Sequence, residues 1–172
     1  MNPARIPSLT HRFMVRVFLL VVIVGVATAS SGASQENDEW NLFRRDAALT
    51  GVLPDGALAD ALVPIWMFET GDSIESTAAI ADGRVYFGSL DRFFYALDLK
   101  TGEELWKFQA AAEVKSSPSV FDGFVYFGDE FGEFHALDAA TGEKKWGFNT
   151  GAGIVSAANY ADGRLVFGSY DN

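Results

Sequence analysis

The side chains that could do chemistry in this sequence are few, and the most regular of them are carboxylates. Asp98 and Glu103 recur as Asp138 and Glu143, 40 residues further along the chain. Paired carboxylates can act as a general acid and a general base. These four lie beside Thr-Gly dipeptides, however, and a solvated turn explains an acidic residue there better than a catalytic pair does. We therefore predict that the chain has no catalytic residue.

His135 is the single imidazole in the repeating part of the chain. Histidine can bind a metal or transfer a proton, but His135 stands where the preceding repeat has Tyr95. A histidine that replaces an aromatic residue on a strand is expected to be packed in the core. Cys is absent, which excludes disulfides, thiolate metal sites and a Cys nucleophile. We predict no metal site, and the sequence identifies no cofactor-binding residue.

These side chains lie within an internal repeat of 40 residues. Residues 67–106 and 107–146 share 16 identities without a gap, and a third copy begins at Gly147. Such a period is typical of repeat architectures in which each copy is one supersecondary unit. The recurring residues are Trp66, Trp106 and Trp146; Phe68, Phe108 and Phe148; Ser76, Ser116 and Ser156; and the Phe-Gly pairs at 87–88, 127–128 and 167–168.

Turn signals divide each copy into four strands. Asp-Gly, which favours a tight hairpin because both turn positions need positive φ, recurs at 82–83, 122–123 and 162–163. A second turn is predicted near Asp91-Arg92 and a third at Thr101-Gly102. In the first copy the predicted strands cover 75–81, 84–89, 93–98 and 103–109.

The predicted strands are apolar on both faces, as Val85, Tyr86 and Phe87 illustrate. Sheets of four strands that are buried on both sides and repeat at this period predict the blades of a β-propeller. A sandwich of hairpins, the competing architecture, gives no reason for a fixed period. The fold class is thus all-β, a propeller of four-stranded antiparallel blades at about 71–110, 111–150 and 151–172. The stripe Val85, Phe87, Val125, Phe127, Leu165 and Phe167 is predicted to form the core between blades.

A motif at the end of the first two copies resembles the tryptophan-docking motif of quinoprotein propellers, A-x-D-x-x-T-G-x-x-x-W. The chain is therefore identified as a member of the pyrroloquinoline-quinone (PQQ)-like repeat family over about 65–172. The resemblance implies that the motif Trp packs between blades and is structural. The matching residues are Ala96, Asp98, Thr101, Gly102 and Trp106, then Ala136, Asp138, Thr141, Gly142 and Trp146.

Family members with this fold include PQQ-dependent dehydrogenases, an outer-membrane assembly scaffold and exported repeat proteins without a known cofactor. The dehydrogenases carry long inserts between blades and often a vicinal Cys pair, neither of which is present here. The resemblance therefore favours a non-catalytic scaffold that binds a protein partner, without a cofactor. The alternative is a PQQ-dependent dehydrogenase whose quinone and calcium site lies outside this segment.

The first 29 residues resemble an export signal. Arg5, Arg12 and Arg16 precede an uncharged apolar run that ends at Ala27-Thr28-Ala29. The apolar run is shorter than the ~20 residues that span a bilayer, which favours a cleaved signal over an uncleaved membrane anchor. We expect a periplasmic or secreted protein, and without Cys it has no lipid anchor. A polar linker and a lead-in cap are predicted over 30–64, where Trp40 and Phe43-Arg44 are similar to a lead-in of exported relatives.

Two further expectations concern partners and completeness. The net charge of −10 repels phosphate backbones and makes nucleic acid an unlikely partner. The third copy stops at Asn172, in the turn after its second strand, so we expect residues 65–172 to be the N-terminal part of a larger propeller. The segment from Ile65 to Thr70 is predicted to be a strand that pairs with the last blade, or with a nearby edge.

Overall fold

The computed structural model describes residues 18–20, 40, 42–44, 63–161 and 163–171. Every regular element in those ranges is a β-strand, and all pairings between strands are antiparallel. In chain order the strands are β1 Phe18–Leu20, β2 Met67–Glu69, β3 Ala79–Ala81, β4 Arg84–Gly88, β5 Phe93–Asp98, β6 Glu104–Gln109, β7 Ser119–Phe121, β8 Phe124–Gly128, β9 Glu133–Asp138, β10 Lys144–Asn149, β11 Asn159–Ala161 and β12 Arg164–Val166.

Two of the sheets are complete blades of four strands. The first has the order β3-β4-β5-β6 and the second β7-β8-β9-β10, so each is a simple meander. Their registers coincide, since Val85 opposes Leu97 in the first blade and Val125 opposes Leu137 in the second. The third copy supplies the hairpin β11-β12. The prediction of a partial propeller of four-stranded blades is therefore confirmed.

The Asp-Gly turns adopt the geometry that their residue types favour. Asp82 has φ 50° and Gly83 has φ 69°, and Asp122 repeats the φ of 50°. Positive φ at both central positions defines a type I′ turn, whose twist matches that of the flanking strands. The turn therefore fixes the register of β3 on β4.

The first strand of each blade is shorter than predicted. The prediction was 75–81, but β3 begins at Ala79. The Ser76 hydroxyl accepts a hydrogen bond from the Gly88 N–H and donates one to the Gly88 carbonyl, both at 2.9 Å. A side chain thus takes the place of a backbone partner, and the chain before Ala79 is free to turn towards the neighbouring blade. Ser116 and Ser156 repeat these contacts with Gly128 and Gly168.

Aromatic stacking joins consecutive blades. Phe94 of the first blade and Phe127 of the second have ring centroids 4.0 Å apart and planes inclined by 3°. Phe134 and Phe167 repeat this stack between the second blade and the third copy. The predicted stripe lies in the core, and four of its residues pack between copies: Val125 and Phe127 with the first blade, and Leu165 and Phe167 with the second. Val85 and Phe87 instead pack with Trp66 and Phe68, which precede the first blade.

The two ends of each blade form different surfaces. On one, the turn between the third and fourth strands meets the Asp-Gly turn, as in the bond from the Leu99 N–H to the Gly83 carbonyl. We call this the Gly-turn face; it comprises 82–83, 98–102, 122–123 and 138–142. On the other, the turn between the second and third strands meets the chain that connects blades, as in the bond from the Val114 N–H to the Ser89 carbonyl. We call this the connection face; it comprises 71–78, 89–92, 110–118, 129–132, 150–157 and 169–171.

Little of the N-terminal part is described. The predicted signal segment 1–29 and the linker and cap 30–64 lie outside the described residues, apart from 18–20, 40, 42–44 and 63–64. Trp40 exchanges two backbone hydrogen bonds with Ile80, at 2.7 and 2.9 Å. The strand predicted at Ile65 to Thr70 is β2, which pairs with β1. Among the described residues no helix is long and apolar enough to cross a membrane.

Candidate functional site

Trp106 makes the main polar contact between the two complete blades. Its indole N–H donates to the Ala139 carbonyl at 3.1 Å, and the same carbonyl accepts a hydrogen bond from the Tyr86 hydroxyl at 3.0 Å. The indole ring lies on Gly142, where an added Cβ would be 2.6 Å from the ring. Gly142 has φ 74°, so both the turn and the close approach require glycine. Burial, the largest influence, raises the pKa of Tyr86 to about 12, which keeps its hydroxyl protonated as a donor.

Trp66 makes the same contact one repeat earlier. Its N–H donates to the Leu99 carbonyl at 3.0 Å, and its ring lies against Gly102 of the first blade. Each such tryptophan therefore contacts the turn that lies 36 residues further along the chain, from Trp66 to Gly102 and from Trp106 to Gly142. Trp146, the third member of the series, is 44% exposed.

The other motif residues build the turn on which the indole rests. The Asp98 carboxylate accepts hydrogen bonds from the backbone N–H groups of Lys100 and Thr101, at 2.9 and 2.8 Å. The Thr101 N–H bond is the largest of the influences that hold the pKa of Asp98 below its ordinary value. Asp138 and Thr141 repeat the arrangement. Ala96 and Ala136 are fully buried and lie opposite Trp106 and Trp146 in the sheet register. In this geometry the Asp, Thr and Gly residues of the motif shape the turn, and the indole of Trp106 packs on the turn of the next copy.

His135 is buried and hydrogen-bonded to a carboxylate that the sequence analysis did not single out. Its Nε2 lies 3.0 Å from Oδ2 of Asp129, whose other oxygen accepts the backbone N–H groups of Phe131 and Glu133. Both side chains are inaccessible to solvent, at 1% and 0% exposed. Burial raises the pKa of Asp129, but the hydrogen bonds from His135 and Glu133 outweigh it and hold that pKa below its ordinary value.

The first blade has an equivalent hydrogen bond between an aromatic ring and a carboxylate, formed by other residues. The Tyr95 hydroxyl donates to Oδ2 of Asp91 at 2.6 Å, and Asp91 stands at the position of Phe131 in the next repeat. Asp129 in turn stands at the position of Ser89. The sequence does contain a signal for this pair, because two departures from the repeat occur together. The copy that has His135 in place of tyrosine also has its aspartate two positions earlier, at Asp129.

Asp129 and His135, with Glu133, form the one group of metal-ligand types found among the described residues. Glu133 already forms an ion pair with Lys144. The Nδ1 atom of His135 is buried without a hydrogen-bond partner. A metal-bound histidine nearly always donates its other N–H to an acceptor. The geometry therefore fits an Nε2–H that donates to Asp129 better than it fits a metal.

A cavity of about 430 Å³ opens on the connection face. Lys115 and Glu130 form an ion pair across it at 3.1 Å. The hydrogen bond to Glu130, and then the charges of Glu75 and Glu113, raise the pKa of Lys115 above its ordinary value. The sequence analysis missed this site, whose residues are scattered over three copies. The lining residues are Glu75, Lys115, Glu130, Val155 and Tyr170.

The residues at this cavity differ between copies that are otherwise alike. The first lining position is Glu75, Lys115 and Val155 in the three copies, and the second is Leu90, Glu130 and Tyr170. On the Gly-turn face the Asp-Gly turn is the same in all three. Loop residues that vary on a fixed scaffold are where binding properties are set.

Comparison with known proteins identifies the propeller's relatives. The profile of the family described as outer membrane protein assembly factor BamB matches residues 63–172. BamB from Moraxella catarrhalis is similar in structure, with 25% identity and a TM-score of 0.57, over 62% of this chain and 34% of that one. No curated protein sequence matches significantly.

Two dehydrogenases are also similar in structure. A quinohemoprotein alcohol dehydrogenase from Comamonas testosteroni has 24% identity and a TM-score of 0.50, over 56% of this chain and 17% of that one. A europium-containing methanol dehydrogenase has 25% identity and a TM-score of 0.48, over 52% and 19%. The chain thus spans about a third of the length of the BamB structure, and less of the enzymes.

Proposed function

This chain belongs to the family described as outer membrane protein assembly factor BamB, and we propose that it is an exported, non-catalytic scaffold that binds a partner protein. The observation that carries the proposal is the difference between its two faces. The Gly-turn face repeats the residues that hold blades together, whereas the connection face varies from copy to copy. The partner therefore binds at the connection face, where exposed side chains include Phe131 and Tyr170, at 68% and 70%.

The cavity on the connection face does not fit the quinone of the enzymatic relatives. PQQ carries three carboxyl groups, and a site for it needs an excess of cationic donors. The cavity presents Glu75 and Glu130 against the single cation of Lys115, which is already paired. Calcium prefers oxygen ligands alone, whereas the one metal-ligand group of the described residues includes His135 and a glutamate paired with lysine. We therefore assign no step to the quinone.

Loading with cofactor tests the non-catalytic part of the proposal. The intact protein is incubated with PQQ and calcium, separated from free quinone, and assayed with a dye acceptor on alcohols and sugars. We expect neither retained quinone absorbance nor turnover. Turnover would identify the protein as a PQQ-dependent dehydrogenase, the competing function.

Site-specific photocrosslinking in cells tests the choice of face. A photoreactive amino acid replaces Phe131 or Tyr170 on the connection face, and Asp82 or Thr101 serves as the matched position on the Gly-turn face. We expect discrete protein adducts from the first pair and none from the second. Adducts of equal yield from both faces would contradict the proposal.

A further inference from the structure

The cavity on the connection face has an unbalanced charge and one large aromatic wall. Its lining holds two carboxylates, Glu75 and Glu130, and one ammonium group, Lys115. Glu113 is a third carboxylate close enough to Lys115 to raise the pKa of its ammonium group. The lining alone leaves one carboxylate without a cation, and Glu113 makes the surroundings more negative, so the site is complementary to at least one further positive charge.

Tyr170 narrows the choice of cation. Its side chain lines the cavity and is 70% exposed, so the ring is accessible to a ligand. A guanidinium group is planar, so it stacks on an aromatic face and also binds a carboxylate through two parallel N–H groups. An ammonium group is a compact point charge that neither stacks nor binds a carboxylate in this paired way. Together, Tyr170 and the carboxylates favour guanidinium.

The surroundings indicate that the guanidinium belongs to a protein. Phe131, next to Glu130 in the chain, is 68% exposed and offers apolar contact outside the cavity. The cavity of about 430 Å³ exceeds the size of a small ion and is open to solvent, so it admits a side chain that projects from an extended segment. An arginine on an extended segment fills the cavity while its neighbours cover Phe131.

We propose that the cavity lined by Glu75, Lys115, Glu130, Val155 and Tyr170 binds an arginine side chain of a basic segment in the partner protein. The inference rests on the proposed scaffold function and adds the chemistry of the partner to it. In the free protein the Glu130 carboxylate is already paired with the Lys115 ammonium group. The arriving arginine competes with Lys115, which makes this lysine a negative determinant of affinity.

The test uses the intact protein and a fluorescein-labelled peptide with three arginines that alternate with serine. Matched peptides carry lysine or citrulline in place of arginine, and fluorescence anisotropy gives the dissociation constants. We expect the arginine peptide to bind about tenfold more tightly than the lysine peptide, and the citrulline peptide to be weakest. Equal binding of all three would overturn the proposal.

Variants of the protein separate the cavity from general attraction to an acidic surface. Glu75→Gln and Tyr170→Ala should each weaken binding of the arginine peptide by about tenfold. Lys115→Met should strengthen it several-fold. Glu103→Gln, which removes the same charge on the Gly-turn face, is the control and should leave affinity unchanged. Equal losses for Glu75→Gln and Glu103→Gln, or weaker binding by Lys115→Met, would overturn the proposal. Failure here leaves the scaffold function standing, because the cofactor and crosslinking experiments test it separately.

Discussion

The two complete blades have the same strand order and register but use different polar pairs beneath the connection face. In the first, Tyr95 reaches Asp91; in the second, the shorter ring of His135 reaches Asp129, two positions earlier in its turn. The ring and the carboxylate change together, while the strands around them keep their places. The comparison teaches that the exchangeable unit in this repeat is the pair, since neither residue alone would find its partner in the other blade.

The largest effect is expected where the blades do not differ. Phe127→Ala removes a ring that is 1% exposed and stacked on Phe94, and should lower the free energy of unfolding of the intact protein by about 3–5 kcal/mol. Phe87→Ala, the equivalent change in the first blade, should cost as much. Urea denaturation measures both. Midpoints equal to that of the parent would show that these rings do not form the inter-blade core.

Removal of the buried carboxylate of the second blade comes next. Asp129→Ala leaves the His135 Nε2–H and two backbone N–H groups without their acceptor, and should cost about 3 kcal/mol at pH 7. The folded-state pKa of Asp129 is depressed, so its contribution is present above the unfolded value of about 4 and is lost as pH falls through the folded value. The difference in free energy of unfolding between parent and variant should therefore be smaller at pH 3 than at pH 7. A gap independent of pH would contradict this assignment.

Exchange of the whole pair tests the comparison directly. His135→Tyr alone places a longer ring against Asp129 and should cost about 2 kcal/mol, as overpacked cores do. The triple variant Asp129→Ser, Phe131→Asp, His135→Tyr rebuilds the residues of the first blade and should recover most of that loss. Thermal melting of the single and triple variants is the measurement. A triple variant less stable than the single one would show that the pair is not the exchangeable unit.

A smaller effect is expected at the contacts that both blades share. Trp106→Phe keeps a ring against Gly142 but loses the hydrogen bond to the Ala139 carbonyl, at a cost of about 1 kcal/mol. Trp66→Phe should lose the same amount, because its bond to the Leu99 carbonyl has nearly the same length. The control is Lys107→Gln, which breaks an exposed pair with Glu104 and should change stability by less than about 0.5 kcal/mol. Clearly unequal losses for the two tryptophans would show that their contacts are not equivalent.

The sequence predicts the strands and their order because their signals are local. The Asp-Gly turns and the short apolar runs each lie within one copy, and the 40-residue period shows that the copies repeat. The start of the first strand was mispredicted, because Ser76 bonds to Gly88 of a neighbouring strand through its side chain. That exchange does not alter the pattern of apolar residues from which strands are predicted.

The candidate sites could not be predicted from the sequence, for a different physical reason. The cavity joins single residues of three copies, and no spacing of Glu75, Lys115 and Tyr170 distinguishes them from ordinary surface residues. The Asp129–His135 pair was half visible, since His135 attracted notice as a departure from the repeat. Its partner was missed, because Asp129 is visible only as a second departure from the same repeat, and the sequence does not show that the two departures lie in contact.

The tryptophan contact has a direction along the chain, and this bears on how the protein folds as it is made. Trp66 packs on Gly102 and Trp106 on Gly142, so each indole is covered only after the turn 36 residues further along the chain has been made. A chain that emerges from its N-terminus can then add one blade at a time, with every new turn covering the last exposed indole. Interactions between nearest neighbours, in which each step closes only a short loop, favour rapid sequential folding. At each stage the newest motif tryptophan stays uncovered until the turn that follows it by 36 residues has been made.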